Sequence, residues 1–120
     1  MWKIKKELIE ELINAAKNNY PNEFLCFLGG DTKKEEITEF VFLPSRSNEN
    51  SASIDTQAMP FDETIIGTLH SHPSGYNYPS NADKRMFSKY FVNLILGYPF
   101  LIENIGVYDK KSKKTELNLI

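Results

Sequence analysis

Gly67-Thr68-Leu69-His70-Ser71-His72-Pro73, followed across a short loop by Pro79-Ser80-Asn81-Ala82-Asp83, holds both histidines of the chain. Thr64 to His70 is apolar and β-branched, which predicts a buried strand. Side chains at i and i+2 of a strand point to one side, so His70 and His72 can converge on one point in space. Pro73 takes the chain out of the sheet at once, which places the pair at the sheet's rim, open to solvent. The loop from Ser71 to Pro79 is rich in Pro, Gly, Ser and Asn. It leads into a helix expected over Ser80–Tyr90, with Ser80 as N-cap and Asp83 in the first turn.

Two imidazoles and a carboxylate leave the fourth position of a tetrahedral zinc ion open, which is the catalytic arrangement. The same donors also form the facial triad of non-haem iron enzymes, which need more coordination room than this chain offers. Asp83 has a second possible role. Ser80 and Asp83 are spaced as a capping box, and an acid in a first turn is favoured by the helix dipole. Bonding back to the cap and binding a metal compete for one carboxylate oxygen. Hydrolysis also needs a group that takes a proton from water and passes it on. Spacing alone does not point to it. Glu23 is the best placed acid, after Tyr20-Pro21-Asn22 and at the mouth of the apolar run Phe24–Leu28. A plain loop acid or cap is its alternative role.

Working outward, Ile4 to Asn18 reads as an amphipathic helix, with Ile4, Leu8, Leu12 and Ala16 on one stripe widened by Ile9 and Ile13. Pro21 closes it. Phe24–Leu28 reads as a buried strand running into a turn at Gly29-Gly30, and Glu36–Leu43 as a second strand joined through Asp31–Lys34. Pro44–Asn50 reads as a polar loop and Ser51–Asp55 as a short strand; Gln57–Glu63 is ambiguous. Phe91–Leu96 is expected to be a buried strand, and Gly97-Tyr98-Pro99 a turn. Leu101–Tyr108 and Lys114–Ile120 suggest a closing hairpin. The aromatics Phe40, Phe42, Phe87, Tyr90 and Phe91 have core-like spacing. Few helices and many strands predict a mixed α and β domain around one sheet.

The chain has 120 residues, one domain by size, and buries roughly two thirds of its unfolded surface. With 14 basic and 16 acidic residues, the net charge of −2 gives no strong field for nucleic acid or membrane. The single cysteine, Cys26, excludes an internal disulfide and a multi-thiolate zinc site, and its apolar neighbours make it a core residue. Acids come too early for a signal peptide, and no apolar run approaches a membrane span. The expected location is the cytoplasm.

His70-Ser71-His72-Pro73 with Pro79-Ser80 and Asp83 resembles the JAMM (MPN+) motif of zinc metallopeptidases and isopeptidases: His-x-His-Pro, a short loop, then Ser-x-x-Asp. Ile65-Ile66-Gly67 is similar to the family's preceding strand. Pro21-Asn22-Glu23, followed by an apolar strand and Gly30, resembles its glutamate segment; Cys26 stands where members often carry glycine. The resemblance covers about Glu7 to Leu96. It implies a cytidine-deaminase-like curved mixed sheet flanked by helices. It also implies zinc on His70, His72 and Asp83, Glu23 as general base then acid, and Ser80 as oxyanion donor. The implied substrate is the C-terminal tail of a ubiquitin-like or sulfur-carrier protein. Some MPN relatives are binding modules that lack the ligands, whereas this chain retains all three. A DNA-associated role, as for bacterial RadC relatives, fits poorly with the balanced charge.

Overall fold

A computed structural model describes residues 1–42, 45–47, 52–54 and 64–120 of the chain. Strand β1 (Trp2–Ile4) leads into helix α1 (Lys6–Asn19). Strands β2 (Leu25–Asp31), β3 (Glu36–Val41), β4 (Ser45–Ser47), β5 (Ala52–Ile54) and β6 (Ile65–His72) follow. Helix α2 (Asn81–Phe87) precedes β7 (Val92–Gly97), a 3-10 turn at Ile102–Asn104, β8 (Ile105–Tyr108) and β9 (Leu117–Leu119). Seven strands form one mixed sheet in the order β8-β7-β6-β2-β3-β1-β9, and β4 and β5 pair separately as an antiparallel ribbon.

The sheet carries a helix on each face. Ile9, Leu12, Ile13 and Ala16 of α1 pack in one cluster with Cys26, Leu28, Leu94 and Leu96. Phe87 of α2 packs with Ile95 and Tyr108 in a second. Alternation along β7 explains the division, since Leu94 and Leu96 point one way and Ile95 the other. His70 is paired with Leu25 on one side and Ile95 on the other, so it shares the α2 face. No helix among the described residues is long and apolar enough to cross a membrane.

Several local expectations shift. The helical stripe begins at Lys6 rather than Ile4: Ile4 is fully buried in β1, paired in parallel with Ile37, and that pairing overrides the periodicity. Gly29 and Gly30 lie within β2 at a register irregularity rather than in a turn. Ser45–Ser47, expected as loop, is a strand; Ala52–Ile54 matches the expected short strand, while 57–63 lies outside the described residues. Strand β6 runs on through Ser71 and His72, which β7 keeps in register as far as His72↔Gly97. Helix α2 stops at Phe87 because Lys89 and Tyr90 bond back to Met86 and Phe87, and the Phe91 N–H donates to Ile66 at 2.9 Å as the chain enters β7.

The largest correction is the C-terminus. Tyr108↔Lys114 is a single bridge of the expected hairpin, after which β9 pairs in parallel with β1 at the opposite edge of the sheet. Phe42 and Phe91, expected in the core, are 56% and 47% exposed. Lys110 sits 4.1 Å over the Phe91 ring, so that aromatic faces a cation at the surface.

Candidate metal centre

Strand β6 delivers both histidines buried, at its last turn into the loop. His70 Nε2 and His72 Nε2 are 2.9 Å apart. Asp83 Oδ2 stands 3.2 Å from each. Among the described residues these three side chains form the one cluster of donors whose ligand atoms lie within 4.8 Å of one another.

The site holds the carboxylate through the start of α2. Ser80 Oγ accepts from the Asp83 N–H at 3.1 Å, and the Ser80 N–H donates to Asp83 Oδ2 at 2.9 Å, a reciprocal capping box. The two roles expected to compete for one carboxylate oxygen do fall on the same one. The oxygen that accepts the cap's N–H is the one that faces both imidazoles. One lone pair serves the helix and another serves the cluster. Burial pushes the Asp83 carboxyl up, but hydrogen bonds from His70 and His72, the His70 charge and the Ser80 N–H outweigh it. They hold the group far below the usual carboxylate range, so it is an anionic donor.

These donors fit a small divalent ion. Ligands about 2.0–2.1 Å from a tetrahedral centre stand about 3.3 Å apart, close to the three observed separations. The His72 Nδ1–H donates to the Tyr76 carbonyl at 3.2 Å, the bond that would orient the ring for ligation through Nε2. His70 Nδ1 is buried without a hydrogen-bond partner among the described residues.

Close backbone approach supports this geometry. A Cβ at Gly97 would lie 2.5 Å from the Gly75 carbonyl and 2.9 Å from that of Tyr76. Only glycine lets the loop fold over the end of β7 and bring Tyr76 to His72. The Tyr98 N–H donates to the His72 carbonyl at 3.1 Å and closes the same corner.

Glu23 is half-buried, immediately before β2, and outside the three-donor cluster. Leu25 pairs with His70, and the Ser71 N–H donates to the Phe24 carbonyl at 2.8 Å, so a ladder continued one step beyond the start of β2 would set Glu23 against His72. Directly opposed residues of an antiparallel pair share a face, which is the face of both histidines. Ser80 is exposed at the rim. Cys26 is buried, and burial pushes its thiol up to about 12, so it is no nucleophile. Sequence reasoning missed Tyr76, which acts through a main-chain carbonyl that no side-chain pattern reveals. It also missed the bonding of Ser71, whose only signal was a hydroxyl between two ligands.

Residues 5–107 match the family described as prokaryotic homologues of the JAB domain. A probable metalloprotease of Haloferax volcanii is 25% identical over 126 residues, covering 98% of this chain and 78% of its own. The solved structure described as JAMM, a metalloprotease-like zinc site in the proteasome and signalosome, is 27% identical. It superposes with a TM-score of 0.78 over 100% of this chain and 98% of that one. A JAB1/MPN domain protein from Archaeoglobus fulgidus is 28% identical, with a TM-score of 0.77 over 99% and 97% of the two chains.

Proposed function

The chain belongs to the family of prokaryotic homologues of the JAB domain and is a metallohydrolase; from that premise we propose a zinc-dependent peptidase or isopeptidase. Its substrate is an amide bond at the C-terminal tail of a ubiquitin-like or sulfur-carrier protein. It works in the cytoplasm, with no nucleic acid or membrane in the reaction. The observation that carries this reading is the convergence of His70, His72 and Asp83 within 2.9–3.2 Å of one another at the end of β6. Support for a protein tail as substrate comes from the JAMM neighbour, whose zinc site is described for the proteasome and signalosome.

His70 and His72 would hold the ion through Nε2 and Asp83 through Oδ2. Zinc, when bound, supplies a Lewis acid that polarises the scissile carbonyl and acidifies the attacking water. Glu23 takes the proton from that water and gives it to the leaving amine. Ser80 Oγ accepts from the Asp83 N–H, which leaves its O–H free to donate to the developing oxyanion. One such donor is worth about 3 kcal/mol. The Ser80–Asp83 reciprocity supports a reading in which oxyanion donor and ligand share one helical turn.

The test is mass spectrometry of fusions between ubiquitin-like tails and peptides, incubated with the protein. Cleavage should stop with chelator and return with zinc. Glu23→Gln should retain zinc and lose turnover; a fully active Glu23→Gln removes Glu23 from the mechanism.

A further inference from the structure

We propose that Ser71 is a positioning residue for this reaction: its hydroxyl holds the main chain of Phe24, and with it Glu23, at a set offset from the ligand pair. The proposal rests on the reading of Glu23 given above. Ser71 is fully buried between the two histidines. Its N–H donates to the Phe24 carbonyl at 2.8 Å, and its Oγ accepts from the Phe24 N–H at 2.8 Å. Both main-chain groups of Phe24 are thus fastened to one serine.

The kind of bond matters. A hydrogen-bonded pair in an unbroken antiparallel ladder exchanges two main-chain bonds. Here the Phe24 N–H goes to a side-chain oxygen instead of the Ser71 carbonyl. Regular strand β2 begins only at Leu25, one residue after the substitution. The chain entering β2 is therefore tied to β6 by a side-chain bond where a regular ladder would use a main-chain one. If the ladder ran on, opposed Cβ atoms would sit about 4.5–5.5 Å apart. The Glu23 stem would then crowd His72 and leave no space for water between carboxylate and ligands. A serine hydroxyl holds the segment near while keeping that space.

Alanine at 71 leaves the buried Phe24 N–H without its acceptor, and the segment must move to find one. Threonine keeps the hydroxyl and suits a strand. A control for simple destabilisation lies on the same strand: Thr68 Oγ1 donates to Asn93 Oδ1 at 2.6 Å, also buried and away from Phe24.

The experiment compares wild type, Ser71→Ala, Ser71→Thr, Thr68→Val and Glu23→Gln in the full chain. The readouts are amide exchange at Phe24, zinc affinity by chelator competition, and hyperfine shifts of Glu23 in cobalt-substituted protein. A fourth is kcat against KM on a ubiquitin-like tail–peptide fusion. Ser71→Ala should speed Phe24 exchange, move the Glu23 shifts and leave zinc affinity unchanged. Its kcat should fall by about a hundredfold at unchanged KM, the scale of an ångström misplacement. Ser71→Thr should restore both kcat and the shifts, and Thr68→Val should lose stability without losing kcat. Ser71→Ala with wild-type kcat beside an inactive Glu23→Gln overturns the positioning role and leaves the proton-carrier reading intact. An active Glu23→Gln overturns that reading instead. Glu23 shifts unmoved by Ser71→Ala overturn the positioning role whatever the substrate.

Discussion

Two roles of Asp83, the helix cap and the proposed metal ligation, fall on one oxygen, and they separate experimentally. In chelated protein, Asp83→Ala removes the carboxylate half of the capping box together with the contacts of Oδ2 to His70 and His72. Losing a cap costs about 1 kcal/mol, within a range of roughly 0.5–2. For a chain of 120 residues that is a fall in Tm of about 3–6 °C. Asp83→Asn keeps an oxygen able to accept the Ser80 N–H, so it should lose a few tenths of that. In zinc at a hundred times the dissociation constant, the wild type gains about 2.7 kcal/mol by linkage. Both variants should gain almost nothing, because the anionic donor is gone. Calorimetry of the three proteins, each with chelator and with zinc, reads the zinc gain of each and the cap loss of both variants. Equal zinc stabilisation of Asp83→Ala and wild type would refute ligation. Equal stability of the chelated forms would refute the cap.

Gly97→Ala should destabilise by about 1–3 kcal/mol, because its Cβ meets two carbonyls of the site loop. It should also weaken zinc binding by about tenfold or more, since Tyr76 loses its hold on His72; chelator competition measures this. Cys26, with its thiol raised to about 12, should resist thiol reagents at pH 8 in the native state and react fully in denaturant. The sign follows from linkage: folding favours the protonated thiol, so its contribution is present below the unfolded thiol pKa of about 8.5 and is lost as pH rises toward 12. Phe87→Ala should cost about 3–5 kcal/mol in denaturant unfolding, as a fully buried ring joining α2 to the sheet.

The metal site was legible because its ligands sit in local patterns. Two histidines at strand spacing, a proline, and a Ser-x-x-Asp helix start state most of the geometry before any tertiary contact forms. The pairing of β9 with β1 was not legible, because a parallel partner more than a hundred residues away leaves no trace in local alternation. Ile4 fitted the helical stripe and was claimed by Ile37 instead. Glu23 could be nominated only by its position before an apolar strand. The hydroxyl that holds the adjoining Phe24 N–H, that of Ser71, lies 47 residues on, beyond the reach of any local pattern. Phe91 reads as core by composition, yet its side chain lies outside the face that Val92 buries.

The central claim is that His70 Nε2, His72 Nε2 and Asp83 Oδ2 hold a single ion. Anomalous diffraction at the zinc edge, on crystals of protein purified without added metal, tests it most directly. The prediction is one peak at about 2.0–2.2 Å from each of the three atoms. No peak between them, or a zinc ion held by other residues, would contradict it.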